Sequence, residues 1–103
     1  MKKTVSCARI FTLEGHDHLD QILQILHDEE NITGVTISRG IAGYGDSDSR
    51  EVHSANLLTL SLELPLIVDF YDESEKVLHA IEVLQQRLNL DHIVSWPAAL
   101  HSR

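Results

Sequence analysis

Apolar residues recur along this chain with two periods, every second position or every third to fourth, and these periods predict its elements. Residues 4–13 predict a first strand with apolar side chains on both faces. Helical spacing follows and predicts a helix over about 17–30, with Asp17 as N-cap and Asp20 completing a partial capping box. Apolar and polar residues then alternate over 35–38, which indicates a short second strand.

The longest alternation lies in the second half of the chain. Every even position over 58–70 is apolar, so residues 56–71 predict a third strand with one buried face. Such a strand, fully extended, would measure on the order of 50 Å. Because that length exceeds the width of a compact domain of this size, we expect a bend near Pro65 or a projecting hairpin arm.

A helix and a last strand complete the pattern. Asp72 and Glu75 predict a second capping box, from which a helix continues to about residue 88. Residues 92–96 predict a final strand that Pro97 ends. The order strand, helix, strand, strand, helix, strand predicts an α+β, ferredoxin-like βαββαβ fold. Its four-stranded antiparallel sheet carries both helices on one face, with a long loop between strands 2 and 3.

The whole chain, residues 1–103, is therefore expected to form a single domain whose sheet has one face without helices. The first strand is apolar on both faces apart from Arg9, so two helices on one face leave apolar side chains uncovered. We expect the other face to be buried against further copies of the chain, in a closed oligomer.

Charge restricts the partners of the chain. Asp and Glu number 16 against 8 Lys and Arg, a formal net charge of −8 at pH 7. The chain therefore offers no basic face for nucleic acid or for an anionic membrane. Between residues 14 and 31 there are acids but no Lys or Arg, which predicts a solvated acidic face or, alternatively, a docking surface for a basic partner segment.

Targeting signals and cysteine usage favour a cytoplasmic protein. The single cysteine, Cys7, cannot by itself form an internal disulfide or a zinc site. The start of the chain lacks the apolar core of a signal peptide. No stretch approaches the roughly 20 apolar residues of a membrane span.

Residues 40–54 connect the second and third strands, and they hold three of the five glycines without any apolar periodicity. Glycines allow positive φ, so consecutive amide N–H groups here can converge on an oxyanion, with Arg39 or Arg50 adding charge-assisted bonds. The alternative is that the glycines only turn the chain into a hairpin arm. The candidate anion-binding residues are Arg39, Gly40, Ile41, Gly43, Tyr44, Gly45, Arg50 and His53.

Histidines and acids around the first turn suggest a metal site. The residues concerned are His16, His18 and His53, with Asp17 and Asp20. Because His-x-His spacing in a turn fixes no coordination geometry, we expect no specific metal site. Catalysis has little support either, since neighbours such as His53 and Ser54 point to opposite faces of a strand.

Three segments together resemble a known family. They are RGIAGYG over 39–45, HSA over 53–55 with LLTLSLELP over 57–65, and Asp72-Glu73 with Lys76. The set resembles the PII-like family known as domain of unknown function 190. The resemblance implies a ferredoxin-like homotrimer related to the PII signal transducers. In those proteins a mobile loop between the second and third strands reports on small molecules, usually adenine nucleotides, bound in clefts between subunits.

The leading hypothesis is a non-enzymatic PII-like regulator that binds AMP or ADP near the base of the loop. Residues 40–54 would report the ligand to a partner protein such as a membrane transporter. The turn after the second helix is Asn89-Leu90-Asp91, whereas PII proteins have a basic glycine-rich phosphate loop there, which argues against triphosphate binding. Two rival hypotheses are a trimeric metal-binding protein resembling CutA, which would use the histidines, and a scaffold whose loop is only a protein contact.

Overall fold

A computed structural model of the chain describes residues 1–13, 18–43, 53–54, 65–90 and 92–103. The elements are, in order, β1 (Lys2–Leu13), α1 (Leu19–Gln24) continuing as a π-helical segment (Ile25–Glu29), β2 (Gly34–Arg39), β3 (Ala42–Gly43), β4 (His53–Ser54), β5 (Pro65–Asp72), α2 (Ser74–Leu88) and β6 (Ile93–His101). Among the described residues, no helix is both long enough and apolar enough to span a bilayer.

The main sheet has the strand order β2-β5-β1-β6, and every neighbouring pair is antiparallel. Both helices pack on one face of this sheet, as the predicted ferredoxin-like fold requires. The core between the layers consists of Ala8, Ile10, Ile22, Ile25, Leu26, Ile32, Val68, Phe70, Val77, Ala80 and Leu84. The alternation in β5 is confirmed, because Leu66, Val68 and Phe70 are all buried. The strand predicted over 56–64 lies outside the described residues.

The first helix differs from its prediction in detail. It begins at Leu19, where His18 is the N-cap residue and makes no side-chain capping bond. The proposed N-cap, Asp17, lies outside the described residues. After one and a half turns the helix widens, and the Glu30 N–H donates to the Ile25 carbonyl over 2.9 Å. In this wide turn the consecutive residues Ile25 and Leu26 are both buried.

The last strand was predicted too short. β6 continues through Pro97 to His101, and the Met1 and Ser102 backbones exchange two hydrogen bonds at its end, of 2.6 and 2.8 Å. In that register Pro97 faces Ser6 as a non-hydrogen-bonded pair. The Pro97 nitrogen therefore points away from β1, at the edge of the sheet, where its missing N–H costs no ladder bond.

The predicted capping box at α2 is wrong. The N-cap residue of α2 is Glu73, and it makes no side-chain capping bond. Asp72 is instead the last residue of β5, and its carboxylate turns toward β2 and α2. Periodicity cannot distinguish a strand end from an N-cap when the acid lies between the two elements.

Candidate ligand site at the hairpin base

The segment between β2 and β5 contains a short antiparallel ladder of β3 with β4. Ala42 lies opposite Ser54, and Gly43 lies opposite His53. The sequence predicted a long loop here, with a hairpin arm as the alternative. In the structure the described ends of 42–54 pair in this two-residue ladder, and the segment is called the hairpin below. Two of the predicted site residues, Gly43 and His53, are thereby brought together. Tyr44, Gly45 and Arg50 lie outside the described residues.

Gly40 joins this hairpin to the main sheet. Its N–H donates to the Pro65 carbonyl over 2.7 Å, directly after the last β2–β5 pair. A Cβ added at Gly40 would lie 2.8 Å from Pro65 Cγ, so this close approach requires glycine. In this arrangement the Gly40 amide is engaged within its own chain, and an anion nest here would have to use the amides that follow it.

The two remaining site residues flank Gly40. Arg39 is the last residue of β2, exposed and opposite Leu66 in the register. Ile41 is 80% exposed, which is unusual for a side chain of this size next to a sheet. The hairpin base therefore carries one exposed arginine and one exposed apolar side chain.

Asp72 is the best-connected carboxylate of the described residues. Its oxygens accept from the Thr33 N–H (2.9 Å), the Thr33 hydroxyl (2.9 Å), the Glu73 N–H (2.7 Å) and the Lys76 ammonium (3.1 Å). Burial acts to raise the pKa of Asp72, but these donors outweigh it and lower the pKa to about 2. The cluster ties β2, β5 and α2 together at the end of the sheet remote from the hairpin. Sequence reasoning placed Asp72 as a helix cap near Lys76, but it did not predict the bonds from Thr33.

The acidic segment is partly neutralised by α2. Glu29 pairs with Arg87, and Glu30 pairs with His79 over 2.6 Å. The hydrogen bond that His79 donates to Glu30 raises the pKa of His79, and the negative charge of Glu30 acts in the same direction. These two acids therefore join the π-helical segment to α2, and the predicted acidic face is narrower than the sequence alone indicated.

The histidine cluster is only partly described. His18 and Asp20 lie at the start of α1, whereas His16 and Asp17 are outside the described residues. Within the described ranges no three His, Cys, Asp or Glu side chains are arranged to hold a metal ion.

The sheet face without helices carries an ion pair at its centre. Arg9 Nε and Nη2 donate to the two Asp69 oxygens over 2.6 and 3.0 Å, and the guanidinium lies 5.7 Å from the Trp96 ring centre. The hydrogen bond to Asp69 raises the pKa of Arg9. Phe11 and Val94 complete the exposed apolar surroundings of the pair. The sequence signal for this pair was the lone charge of Arg9 in an otherwise apolar strand.

Comparison with known proteins gives a family and a fold. The profile of domain of unknown function 190, described as an uncharacterised ancient conserved region, matches residues 7–100. A relative from Aquifex aeolicus (strain VF5), called UPF0166 protein, is 34% identical over 86 residues, which are 79% of each chain.

Two solved structures are similar in fold. CPII from Thiomonas intermedia K12, bound to ADP and bicarbonate, is 18% identical with a TM-score of 0.67, covering 97% of this chain and 89% of that one. The divalent ion tolerance protein CutA1 from Ehrlichia chaffeensis is 15% identical with a TM-score of 0.62, covering 96% and 83%. These likenesses establish a PII-like, ferredoxin-like fold.

Proposed function

Since the chain belongs to the family of domain of unknown function 190 and has a PII-like fold, we propose that it is a PII-like regulatory protein rather than an enzyme. It binds a small anionic ligand, AMP or ADP, in clefts between the subunits of a homotrimer. The observation that carries this proposal is the closed hairpin base beside Arg39, on a fold shared with a protein solved with ADP and bicarbonate.

The proposed site lies where β2 passes into the hairpin. Arg39 would supply charge-assisted bonds to a phosphate, and Ile41 would offer an apolar contact to the adenine or to a neighbouring subunit. The candidate residues Gly43, Tyr44, Gly45, Arg50 and His53 follow along the same hairpin. Because the α2–β6 turn is Asn89-Leu90-Asp91, without basic residues or glycine, we expect ATP to bind more weakly than ADP.

The proposed mechanism is a population shift. A ligand that bonds to the hairpin favours one of its arrangements, and a partner protein binds that arrangement better than the others. Gly40 is the point where such a change would meet the rigid sheet, because its amide is bonded to Pro65. The partner, for which a membrane transporter is the leading candidate, thereby reads the ligand through residues 40–54.

Calorimetric titration tests the proposal. AMP, ADP, ATP, bicarbonate and Zn²⁺ are added separately to the wild-type protein and to Arg39→Ala. We expect nucleotide binding that weakens about tenfold or more in Arg39→Ala, because a charged hydrogen bond contributes roughly 1.5–3 kcal/mol. The matched control is Arg103→Ala, which removes an arginine at the far end of the sheet and leaves binding unchanged.

The same titration also distinguishes the rival functions. CutA1 is a fold neighbour of this chain, so a Zn²⁺ signal lost in His16→Ala with His18→Ala would support a metal-binding protein. Absence of heat with every ligand would leave a protein-interaction scaffold and overturn the regulatory proposal.

A further inference from the structure

The helix-free sheet face presents side chains in three cross-strand rows. The central row runs Thr36, Asp69, Arg9, Val94 from β2 to β6. Rows on either side are mainly apolar, and they run Ser38, Ile67, Phe11 and Gly34, Tyr71, Cys7, Trp96. The face is therefore an apolar surface with one ion pair in its middle.

Three large apolar side chains of this face are well exposed to solvent. Phe11 is 46% exposed, Val94 49% and Trp96 39%. All three flank Arg9, since Val94 is its register partner and Phe11 and Trp96 lie one row away on either side. Exposed large apolar side chains grouped in one place are typical of a contact surface.

Arg9 is only partly satisfied within its own chain. Its Nε and one Nη2 hydrogen are bonded to Asp69, and Trp96 lies against the guanidinium. In the described part of the chain Nη1 donates no hydrogen bond. A guanidinium has five N–H donors, so three remain to be satisfied by water or by another molecule.

Electrostatics favour a second copy of this chain as the occupant of the face. The chain carries a formal net charge of −8, so copies repel one another, and this repulsion is weakest where they meet on locally neutral surface. Arg9 and Asp69 cancel each other at the centre of the face, whereas a basic partner would be drawn to the acidic surface elsewhere. Burying this face would also remove water from the three remaining N–H donors of Arg9. The molecule that covers the face therefore has to supply hydrogen-bond acceptors in place of that water.

We propose that Arg9 donates hydrogen bonds from Nη1 to acceptors of a neighbouring copy, so that the Arg9–Asp69 pair sets the geometry of assembly. Asp69 fixes the guanidinium in one orientation through two hydrogen bonds, and the Trp96 ring centre lies 5.7 Å from it. The apolar rows supply the buried area, and Arg9 selects the one arrangement of copies that offers acceptors at its position. This inference rests on the proposed assembly and adds the residue that determines it.

Exchanging the two charges tests the inference. The variant Arg9→Asp with Asp69→Arg keeps the composition, the net charge and an ion pair within the chain, but moves the guanidinium to β5. We expect the exchanged chain to fold, as judged by circular dichroism, and its assembly to dissociate at a protein concentration at least about tenfold higher, as measured by sedimentation velocity. An exchanged chain that assembles like the wild type would overturn the inference.

Two further variants make the result unambiguous. Arg87→Met with Glu29→Gln removes an ion pair from the helix layer and leaves assembly unchanged. Arg9→Lys keeps the positive charge beside Asp69 but has a single side-chain nitrogen and so lacks an equivalent of Nη1. This variant tests the role of Nη1 if the exchanged chain does not fold. Wild-type assembly retained in Arg9→Lys would then refute the role of Nη1. A wild-type protein that is monomeric would instead refute the proposed trimer itself.

Discussion

Asp72 shows how one side chain can join three elements. Its carboxylate is buried yet charged, because two donors from Thr33, one from Glu73 and the Lys76 ammonium converge on it. A buried charge with this many partners stabilises the fold as long as it stays ionised. Asp72 therefore links the stability of the fold directly to pH.

The lowered pKa of Asp72 predicts a loss of stability in acid. Its ordinary pKa is 3.8 and its folded value is about 2, so its stabilising contribution is present above about pH 4 and disappears as the pH falls through 2. At pH 7 the contribution amounts to about 2 kcal/mol. Asp72→Asn should lower the free energy of unfolding by about this amount at pH 7, and by much less near pH 2.

Urea unfolding at several pH values, at one protein concentration, measures this effect. Asp28→Asn is the matched control, since Asp28 is exposed and pairs only with His27 among the described residues. An Asp72→Asn chain as stable as the wild type at pH 7 would contradict the prediction.

The elements were largely predictable because most of them bury one face. Alternation in β5 and helical spacing in α2 reflect a real boundary between core and solvent, and both agree with the structure. The π-helical segment was not predictable, since its i to i+5 bond leaves the apolar spacing close to that of a helix. The β3–β4 ladder was missed because two residues are too few to show a period.

The candidate sites could be predicted only in part, because they depend on contacts between strands that are distant in the sequence. Gly40 could be identified as special from its type alone, but its bond to Pro65 depends on the β2–β5 register. Arg9 could be noticed as a lone charge, whereas its partner Asp69 is 60 residues away in the chain. Register is fixed by packing of the whole sheet, and no local pattern contains it.

The position of Pro97 on the edge strand protects the sheet from pairing with other sheets. It lies at the outer side of an edge strand, where it removes one outward N–H from the row available to a foreign strand. Pro97→Thr restores that donor without removing any bond to β1, so we expect larger assemblies that grow with time. Light scattering measures them, and Ser95→Thr, at another outward position of β6, is the control. Equal scattering from both variants would show that Pro97 has no protective role.

For the whole molecule, the net charge and the neutral sheet face act in opposite directions on assembly. Each copy has a formal charge of −8, so bringing copies together raises the electrostatic free energy, and salt screens that repulsion. Raising NaCl from about 20 mM to about 300 mM should therefore strengthen assembly several-fold. Sedimentation velocity at the two salt concentrations measures this. Weaker assembly at high salt would mean that ion pairs between copies dominate.

The pairing of Met1 with Ser102 has a practical consequence for all of these measurements. Met1 and Ser102 lie side by side at one corner of the sheet, roughly 36 Å along β1 from the hairpin base at about 3.3 Å per residue. A dye or affinity handle attached at either terminus occupies the same corner. Within one chain that corner is remote from Arg39 and Gly40, so a label there does not crowd the residues that the same chain supplies to the proposed site.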